Sequence, residues 1–342
     1  MIKLEKESEP IPLYTIGITY NVKKGLQSDV EDEEAEYDSL DTVLTIKNTI
    51  EDLGCNVELL EADDYLFDRL KDTNLDMVFN IAEGRLGRGR EAQVPSILNF
   101  FNIPFTGSDE TTLCVALDKA LCKRIIATAK VRTPKYQEIS NISQKVNSKL
   151  KFPMIIKPNA EGSSKGITDV AVADNMDMLN SILNKNLQKY NQPMLIEEFI
   201  RGREFTIGIL GNGGDVKVFS PMEISYKNDC SGYGIYSYNV KCNYKDYIEY
   251  ICPARINGCI ADKMTHAALK IYNTLKCRDF SRIDFRLAQD GTIYFIEINP
   301  LPGLTPGYSD YPMLASMCGM DYKSLIKGIL NSALKRYNMR GL

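Results

Sequence analysis

The chain has 342 residues, of which 44% are apolar and 25% charged, and its formal net charge is −4. This composition is typical of a globular protein rather than a disordered one, and the small acidic excess argues against nucleic-acid binding over a broad basic face. We find no apolar run of the ~18 residues that a membrane span needs and no signal-peptide core at the start, so we expect a cytoplasmic protein with no membrane partner.

The first part of the chain alternates predicted strands and helices. Residues 13–22 are rich in β-branched and aromatic side chains, and residues 56–61 and 77–81 are further strand candidates. Between the first two strands, Ser39 is a suitable N-cap for a helix that Gly54 would end. This β-α-β-α-β order predicts a small parallel sheet.

Two helices are predicted next, and the predicted secondary structure then changes from helices to short strands. The first helix covers residues 91–101, with Pro95 in its first turn, and the second runs from 109 to 130. From about residue 152, short strands are separated by glycine-rich and charged turns, which indicates mostly antiparallel sheet with helices. The whole chain is therefore predicted to combine α/β and α+β parts.

The last third predicts a helix at 257–276, a hairpin at 282–299 and a C-terminal helix from about Tyr322. Before them, residues 225–247 have weak periodicity and many tyrosines. We interpret this segment as a long loop, since loops of this length are often functional.

The predicted hairpin suggests a metal site. Asp290-Gly291 is a preferred two-residue turn, which would place Asp284 opposite Glu297 and Arg282 opposite Asn299, all on one face. Facing carboxylates repel each other unless a counter-ion lies between them. Carboxylate and amide oxygens suit Mg²⁺, whose coordination substrate phosphates often complete. The alternative interpretation is a solvated polar face.

A phosphate-binding loop is a second candidate. Residues 162–166, GSSKG, follow the apolar strand that ends at Lys157, and such a loop can present N–H groups and hydroxyls to phosphate. It does not match the Walker A pattern, and an ordinary turn remains an alternative. Lys119 and Lys123, one helical turn apart, could reach the same phosphates or could face solvent.

Taken together, these pieces resemble the ATP-grasp superfamily and, within it, D-alanine–D-alanine ligase and related enzymes. The matching stretches are NIPFTGSD, DKALCK, FPMIIKPNAEGSSKGI, LIEEFIRGREFTIGIL, YICPA and SRIDFRLAQDGTIYFIEINPLPGLTP. The resemblance implies three parts, residues 1–106, 107–202 and 203–342, with ATP between two antiparallel sheets. It also implies a ligase that phosphorylates a carboxylate with ATP and joins it to an amine through an acyl phosphate.

The resemblance also implies roles in nucleotide binding. Asp284, Glu297 and Asn299 would ligate two Mg²⁺ or Mn²⁺ ions, while Lys119 and Lys157 would hold ATP phosphates. The residues implied for the adenine pocket are Glu197, Glu198, Phe199 and Ile200. Glu204 would bind the ribose hydroxyls.

Other implied roles concern the reaction itself. Arg282 and the Gly303 amide would form the oxyanion site, and Ser163 would orient substrate. Lys241 would come from the loop at 225–247, which is expected to close over the bound nucleotide. Ser309 would lie at the acceptor end, in a stretch that looks one residue longer than usual.

The implied substrate pocket departs from the family pattern. Glu83 stands where the dipeptide ligases usually carry histidine, and Cys242 stands where tyrosine usually follows the loop lysine. Glu36 is the best match for the acidic substrate-binding residue. The three nearby arginines could bind a substrate carboxylate or could belong to a solvated loop; they are Arg85, Arg88 and Arg90.

Several functions remain open at this point. The favoured one is an ATP-dependent carboxylate–amine ligase acting on small molecules as a homodimer, either in D-alanyl-D-alanine synthesis or on other amino acids in specialised metabolism. A non-catalytic ATP-binding regulatory protein is a second class, although such a protein has little need of an oxyanion arginine. A biotin-dependent carboxylase component would usually have a longer chain.

Overall fold

The computed structural model describes residues 12–25, 34, 36–162, 172–227, 233 and 244–342. The predictions for Ser163, Lys241 and Cys242 lie outside these residues, as does most of the loop predicted at 225–247. Within the described part of the chain, no helix has both the length and the apolar character needed to cross a membrane.

The N-terminal part contains a three-stranded parallel sheet in the order β2-β1-β3. Its elements are β1 (Thr15–Tyr20), α1 (Leu40–Glu51), β2 (Asn56–Glu61), α2 (Leu66–Asp72) and β3 (Met77–Asn80). Ser39 caps α1, since its Oγ accepts a hydrogen bond from the Thr42 N–H at 3.2 Å. The predicted strand and helix order and the N-cap are both confirmed.

The next segment contains α3 (Gln93–Phe100), α4 (Glu110–Leu117) and α5 (Lys119–Thr128). The prediction of one helix over 109–130 is therefore wrong. The helix is interrupted at Asp118, which has extended dihedral angles of φ −80° and ψ 94°. The Asp118 carboxylate accepts from the Leu121 N–H at 2.9 Å, as an N-cap does. An aspartate with this bond available favours the start of a new helix over a helix interior.

The central part is a four-stranded antiparallel sheet in the order β4-β7-β5-β6. Its elements are β4 (Tyr136–Ile139), β5 (Met154–Pro158), β6 (Val172–Ala173), α6 (Met176–Tyr190) and β7 (Met194–Glu198). Leu179 and Leu183 of α6 pack on Ile156 and Ile196 of the sheet. Helix α6 thus covers one face and leaves the other face to line a cleft.

The C-terminal part is a six-stranded sheet in the order β11-β10-β8-β12-β13, with β9 beside β8. Its strands are β8 (Gly202–Leu210), β9 (Lys217–Val218), β10 (Met222–Tyr226), β11 (Ile248–Ile251), β12 (Phe280–Ala288) and β13 (Ile293–Asn299), and its helices are α7 (Tyr244–Tyr247), α8 (Gly258–Thr274), α9 (Asp310–Met317) and α10 (Tyr322–Arg336). Helices α8 and α10 confirm the predictions for 257–276 and Tyr322. Helix α10 shares one apolar core with the N-terminal sheet.

The turn between β12 and β13 differs from the prediction. The Gly291 N–H donates to the Ala288 carbonyl at 3.0 Å, and the Ala288 N–H donates to the Thr292 carbonyl at 2.9 Å. Gly291 has φ +81°, so the turn has three residues and ends on a left-handed glycine, instead of the predicted two-residue turn. Near the turn, the strands are therefore paired one residue away from the predicted register.

A β-bulge restores the predicted pairs farther along the hairpin. Phe285 pairs with Phe295, whereas Asp284 pairs with Glu297, so Ile296 is the extra residue on β13. The bulge lets the chain bury Phe295, which is 1% exposed, and still turn Glu297 toward the cleft. The predicted facing pairs are confirmed, and the bulged residue Ile296 lines the cleft.

Candidate functional site

A cleft lies between the central and C-terminal sheets. Strands β5 and β7 supply one wall, and strands β8, β12 and β13 supply the other. Lys157 and Glu197 line the first wall, and Glu204, Asp284 and Glu297 line the second. This is the arrangement that the resemblance implies for a bound nucleotide.

The two facing carboxylates of the hairpin lie beside the Arg282 guanidinium. Arg282 donates from Nε and Nη2 to the two oxygens of Asp284, at 3.1 and 2.9 Å. Its Nη1 donates to Asp310 Oδ2 at 3.0 Å. Asp310 is the first residue of α9. Its contact with Arg282 was not predicted from the sequence, because no local pattern connects Asp310 with β12. The structure therefore fixes Arg282 between two carboxylates beside Glu297.

The two facing carboxylates differ in their electrostatics. Burial would raise the pKa of Glu297, but Lys119, Lys157 and Arg282 together lower it to about 2. Burial instead raises the pKa of Asp284 above its usual value, despite the opposing effect of Arg282. The Lys119 Nζ lies 3.6 Å from Glu297 Oε2. Glu297 is therefore an ionised oxygen donor at neutral pH.

These donors fit a hard divalent cation. Asp284 and Glu297 supply carboxylate oxygens from adjacent strands, and Asn299 lies on the same face of β13. Within the described residues, no group of three or more His, Cys, Asp or Glu side chains could hold a metal. Two carboxylates and an amide are a small set, which suits Mg²⁺ because that ion usually retains waters and phosphate oxygens as ligands.

A buried trio of charges supports the cleft from the first wall. Glu197 is 1% exposed, and its carboxylate lies 2.8 Å from both Lys123 Nζ and Lys157 Nζ. Burial would raise the pKa of Glu197, but the two ammonium groups lower it. Lys123 also donates to the Ile296 carbonyl at 2.7 Å, so it holds the β-bulge of the opposite wall. The Glu197 side chain is thus bound to lysines.

At the far end of the cleft, the Arg286 guanidinium contacts the Glu204 carboxylate and the Phe199 ring. Arg286 Nη2 donates to Glu204 Oε2 and its Nη1 donates to the Ile200 carbonyl, both at 2.9 Å. The guanidinium carbon lies 4.6 Å from the centre of the Phe199 ring. Sequence reasoning missed Arg286, although its spacing from Arg282 on one strand placed both on the same face.

Glu198 lies at this end but its carboxylate points elsewhere. Its Oε1 accepts from the Lys151 N–H at 3.0 Å and lies 3.5 Å from Lys135 Nζ. Side chains alternate along β7, so Glu197 and Glu198 point to opposite faces. Glu198 can therefore offer mainly its backbone to a ligand in the cleft.

The other end of the cleft adjoins the N-terminal part. Arg90 is 6% exposed, and it donates to both oxygens of Glu36, at 3.0 Å from Nε and 2.6 Å from Nη2. It also donates to the Ala160 carbonyl at 2.8 Å and to Glu161 Oε2 at 3.1 Å. Glu36 further accepts a hydrogen bond from the Gly162 N–H. The solvated-loop interpretation is wrong for Arg90.

Two more carboxylates lie near Arg90. Burial, followed by the charges of Glu91 and Glu36, raises the pKa of Glu83 well above its usual value. Burial, followed by Glu36, raises the pKa of Glu91 to about 7. Glu91 lines the cleft. This position was not predicted from the sequence, in which Glu91 is the first residue of an ordinary predicted helix.

The other two arginines of this segment lie at the surface. The Arg88 side chain is 75% exposed and its Nη2 lies 3.4 Å from Asp118 Oδ2. The Arg85 side chain is 53% exposed and forms an ion pair with Asp64. The solvated interpretation therefore holds for these two.

Gly303 and Ser309 lie close together after β13. A Cβ atom placed on Gly303 would lie 2.9 Å from Ser309 Oγ. Ser309 Oγ accepts a hydrogen bond from the Thr305 N–H at 3.2 Å and stands at the N-cap of α9. The structure thus brings the predicted oxyanion amide and the predicted acceptor-end serine into one loop.

Comparison with known proteins is consistent across sequence and structure. The family model described as D-ala D-ala ligase C-terminus matches residues 125–331. The D-alanine--D-alanine ligase of Fervidobacterium nodosum is 30% identical over 307 residues, which cover 85% of this chain and 92% of that protein.

Solved structures share the fold at lower identity. The D-alanine--D-alanine ligase from Bacillus anthracis, complexed with ATP, superposes with a TM-score of 0.74 at 21% identity, covering 95% of this chain and 99% of that one. The VanG D-Ala:D-Ser ligase from Enterococcus faecalis gives a TM-score of 0.73 at 20% identity, covering 93% and 99%. At these identities, the two structures establish the ATP-grasp fold.

Proposed function

Since this chain belongs to the D-alanine–D-alanine ligase family and is an ATP-dependent ligase, we propose that it joins two amino acids through an acyl phosphate. The observation that carries the proposal is the cleft in which Asp284, Glu297 and Asn299 share a sheet face with Arg282, while Lys119 of α5 lines the same cleft. A protein that only binds ATP has little use for an oxyanion-binding guanidinium.

The proposed nucleotide site uses both walls of the cleft. Asp284, Glu297 and Asn299 would hold two Mg²⁺ or Mn²⁺ ions, which neutralise phosphate charge when bound. Lys119 and Lys157 would attract the ATP phosphates. Next to them, Glu197 keeps Lys157 in place through its 2.8 Å ion pair.

The adenine and ribose are proposed to bind at the far end. Phe199, Ile200 and the Glu198 backbone would contact the base, and Glu204 would accept from the ribose hydroxyls. Arg286 supports this assignment because it orients Glu204 and stacks on Phe199.

The reacting groups are proposed to meet near Arg282 and Gly303. Attack of an amine on an acyl phosphate puts negative charge on the carbonyl oxygen, and preorganised donors stabilise that charge. Arg282 is held by Asp284 and Asp310, so it needs little reorganisation. Ser309 would lie at the acceptor end, while Ser163 would orient substrate and Lys241 would close over the phosphates.

Substrate choice is proposed to differ from strict D-alanyl-D-alanine synthesis. The family's acidic substrate residue corresponds to Glu36, and in this chain the Arg90 guanidinium already binds it. Glu83 and Cys242 are proposed to shape the same pocket, where a thiol lacks the reach of a phenol. Amino acids other than D-alanine are therefore the favoured substrates.

We propose domain boundaries at 106 and 202.

We also propose a homodimeric assembly. The dimer is supported by an aromatic patch in which the ring centroids of Phe67 and Phe101 lie 4.7 Å apart and Phe100 is 76% exposed. Multi-angle light scattering of wild type and Phe100→Asp tests it, because a dimer that uses this patch would become a monomer.

The proposed reaction is tested by phosphate release from ATP across pairs of D- and L-amino acids, with mass spectrometry of the products. We expect Mg²⁺-dependent release that requires both a carboxylate and an amine, and a product whose mass is the sum of the two minus water. Binding of ATP without turnover for any pair would instead support a regulatory ATP-binding protein. A tenfold or greater preference for D-alanine with D-alanine would contradict the altered pocket.

A further inference from the structure

Two cysteine side chains from different elements are in contact away from the cleft. Cys252 Sγ and Cys318 Sγ lie 3.6 Å apart, although the two residues are separated by 66 positions in the sequence. Cys252 follows β11, and Cys318 is the C-cap of α9. Both are free thiols, and both are only partly buried. The sulfur atoms of a disulfide lie ~2.05 Å apart, so an approach of about 1.5 Å would bring these two within bonding distance.

The surroundings of the pair keep the two thiols together and leave them accessible. Both side chains pack against the apolar core that α10 shares with the N-terminal sheet. The Cys252 thiol is also within 3.8 Å of the Ser220 carbonyl. On the other side, Ser316 and Gly319 next to Cys318 are exposed. A small oxidant in solution can therefore reach Cys318.

The two thiols differ in their acidity. Burial, followed by the neighbouring Cys318, raises the pKa of Cys252 to about 12. Cys252 therefore keeps its proton at neutral pH and can donate its S–H to the Cys318 sulfur. Since the thiolate is the reactive form of cysteine, the first attack on an oxidant falls to Cys318.

We propose that Cys252 and Cys318 form a reversible disulfide on exposure to a small-molecule disulfide. The Cys318 thiolate attacks one sulfur of the small disulfide, which gives a mixed disulfide and releases one small thiol. Cys252 then loses its proton and attacks the Cys318 sulfur, which releases the second small thiol. The protein loses two hydrogen atoms in total, and the small disulfide is reduced to two thiols.

The bond would hold the helix that supports Arg282. Tyr250, two residues before Cys252, donates to Asp310 Oδ1 at 2.6 Å, and Asp310 Oδ2 accepts from Arg282. Asp310 is the first residue of α9, and Cys318 directly follows its last residue. Strand β11 and the residue after it thus contact both ends of this helix. Because the bond joins atoms that are already in contact, we expect the Arg282 contacts, and with them phosphate release, to be retained after oxidation.

The main effect is expected on stability. A covalent link between residues 66 positions apart restricts the unfolded chain much more than the folded one. We expect the oxidised protein to melt ~5 °C or more above the reduced protein. Differential scanning calorimetry of the full chain, with and without dithiothreitol, measures the shift.

Peptide mapping tests the bond directly. The full chain is incubated with oxidised glutathione, its remaining thiols are alkylated, and it is digested with trypsin without reduction. Cleavage after lysine and arginine releases Cys252 in the peptide 246–255 and Cys318 in the peptide 287–323, and each peptide contains one cysteine. We expect these two peptides to be linked and to separate on reduction.

Three variants provide the comparison. Cys252→Ser and Cys318→Ser should each lose both the linked peptide and the increase in melting temperature. Cys259→Ser is the matched control, because Cys259 lies at an exposed position in α8 and should not affect either measurement. The reduced forms of all three should melt close to reduced wild type, since serine nearly preserves the side-chain size.

The outcomes are distinct from those that test the ligase function, because neither measurement requires turnover. Glutathione adducts on the two cysteines without a linked peptide would refute the disulfide. The same increase in melting temperature in Cys318→Ser as in wild type would also refute it. Loss of phosphate release on oxidation of wild type, but not of Cys318→Ser, would overturn the expectation that α9 stays in place.

Discussion

Buried charges are arranged differently at the two ends of the cleft. At the end proposed for the nucleotide, Lys157 is paired with Glu197, Arg282 with Asp284, and Arg286 with Glu204. At the N-terminal end, burial and the nearby Glu36 charge raise the pKa of Glu91 to about 7. Paired charges hold their geometry before a ligand arrives, whereas a buried carboxylate with a raised pKa can change its protonation state near neutral pH.

This difference separates the proposed ligase chemistry from the proposed choice of substrate. The nucleotide end carries the residues through which the chain resembles its family. The N-terminal end carries Glu36 and Glu83 of the implied substrate pocket, together with Glu91, to which the family resemblance gave no role. Catalytic capacity and substrate preference should therefore respond to different substitutions.

The largest effect is expected at the proposed metal site. Glu297→Gln removes an ionised oxygen donor from the cleft, and we expect turnover to fall by more than the ~10²–10³-fold that one lost oxyanion donor costs. Steady-state phosphate release measures it. Asp290→Asn, in the exposed turn of the same hairpin, keeps a side-chain acceptor for the Thr292 N–H and is the control. Normal activity of Glu297→Gln would refute the metal assignment.

Removal of Lys123 should destabilise the whole fold. Lys123→Met leaves Glu197 short of one cation and the Ile296 carbonyl without its donor, and breaking a buried ion pair costs ~3–5 kcal/mol of unfolding free energy. Urea denaturation measures the loss, with the exposed Lys185→Met as the control. A loss below ~1 kcal/mol, the range of surface pairs, would show that Lys123 does not support the bulge.

The two arginines of β12 should differ in the kinetic constant that they change. Arg282→Ala should lower kcat by ~10²–10³-fold with little effect on the KM for ATP, as expected for a donor that acts on developing charge. Arg286→Ala should mainly raise the KM for ATP, because it contacts Glu204 and Phe199. Steady-state kinetics at varied ATP measure both, and the reverse pattern would exchange the two assignments.

The smallest effect is expected at the hairpin turn, which lies away from both ends. Gly291→Ala forces a side chain into φ +81° and should cost ~1–2 kcal/mol of unfolding free energy without changing KM. Gly214→Ala is the matched control, since a Cβ at either position meets nothing within 4 Å and only Gly291 has a positive φ. Equal melting temperatures for the two variants would contradict the three-residue turn.

Local patterns predicted much of the fold. Strand and helix periodicity placed the parallel sheet, α8 and α10, and the Ser39 cap was predicted from its residue type. These features depend on interactions within one element or between neighbours in sequence. The facing pair of Asp284 and Glu297 was also predicted, although through the wrong turn, because the bulge at Ile296 compensates for the extra turn residue.

The tertiary structure alone decided how the buried charges are paired. Arg90 reaches Glu36 across 54 residues of sequence, and Lys123 reaches the Ile296 carbonyl across 173. No periodicity connects such positions, because their approach depends on how separate sheets and helices pack. The sequence by itself determined which side chains share a strand face. Packing determined which of them form ion pairs within the protein, and it raised the pKa of Glu91 by burying its carboxylate.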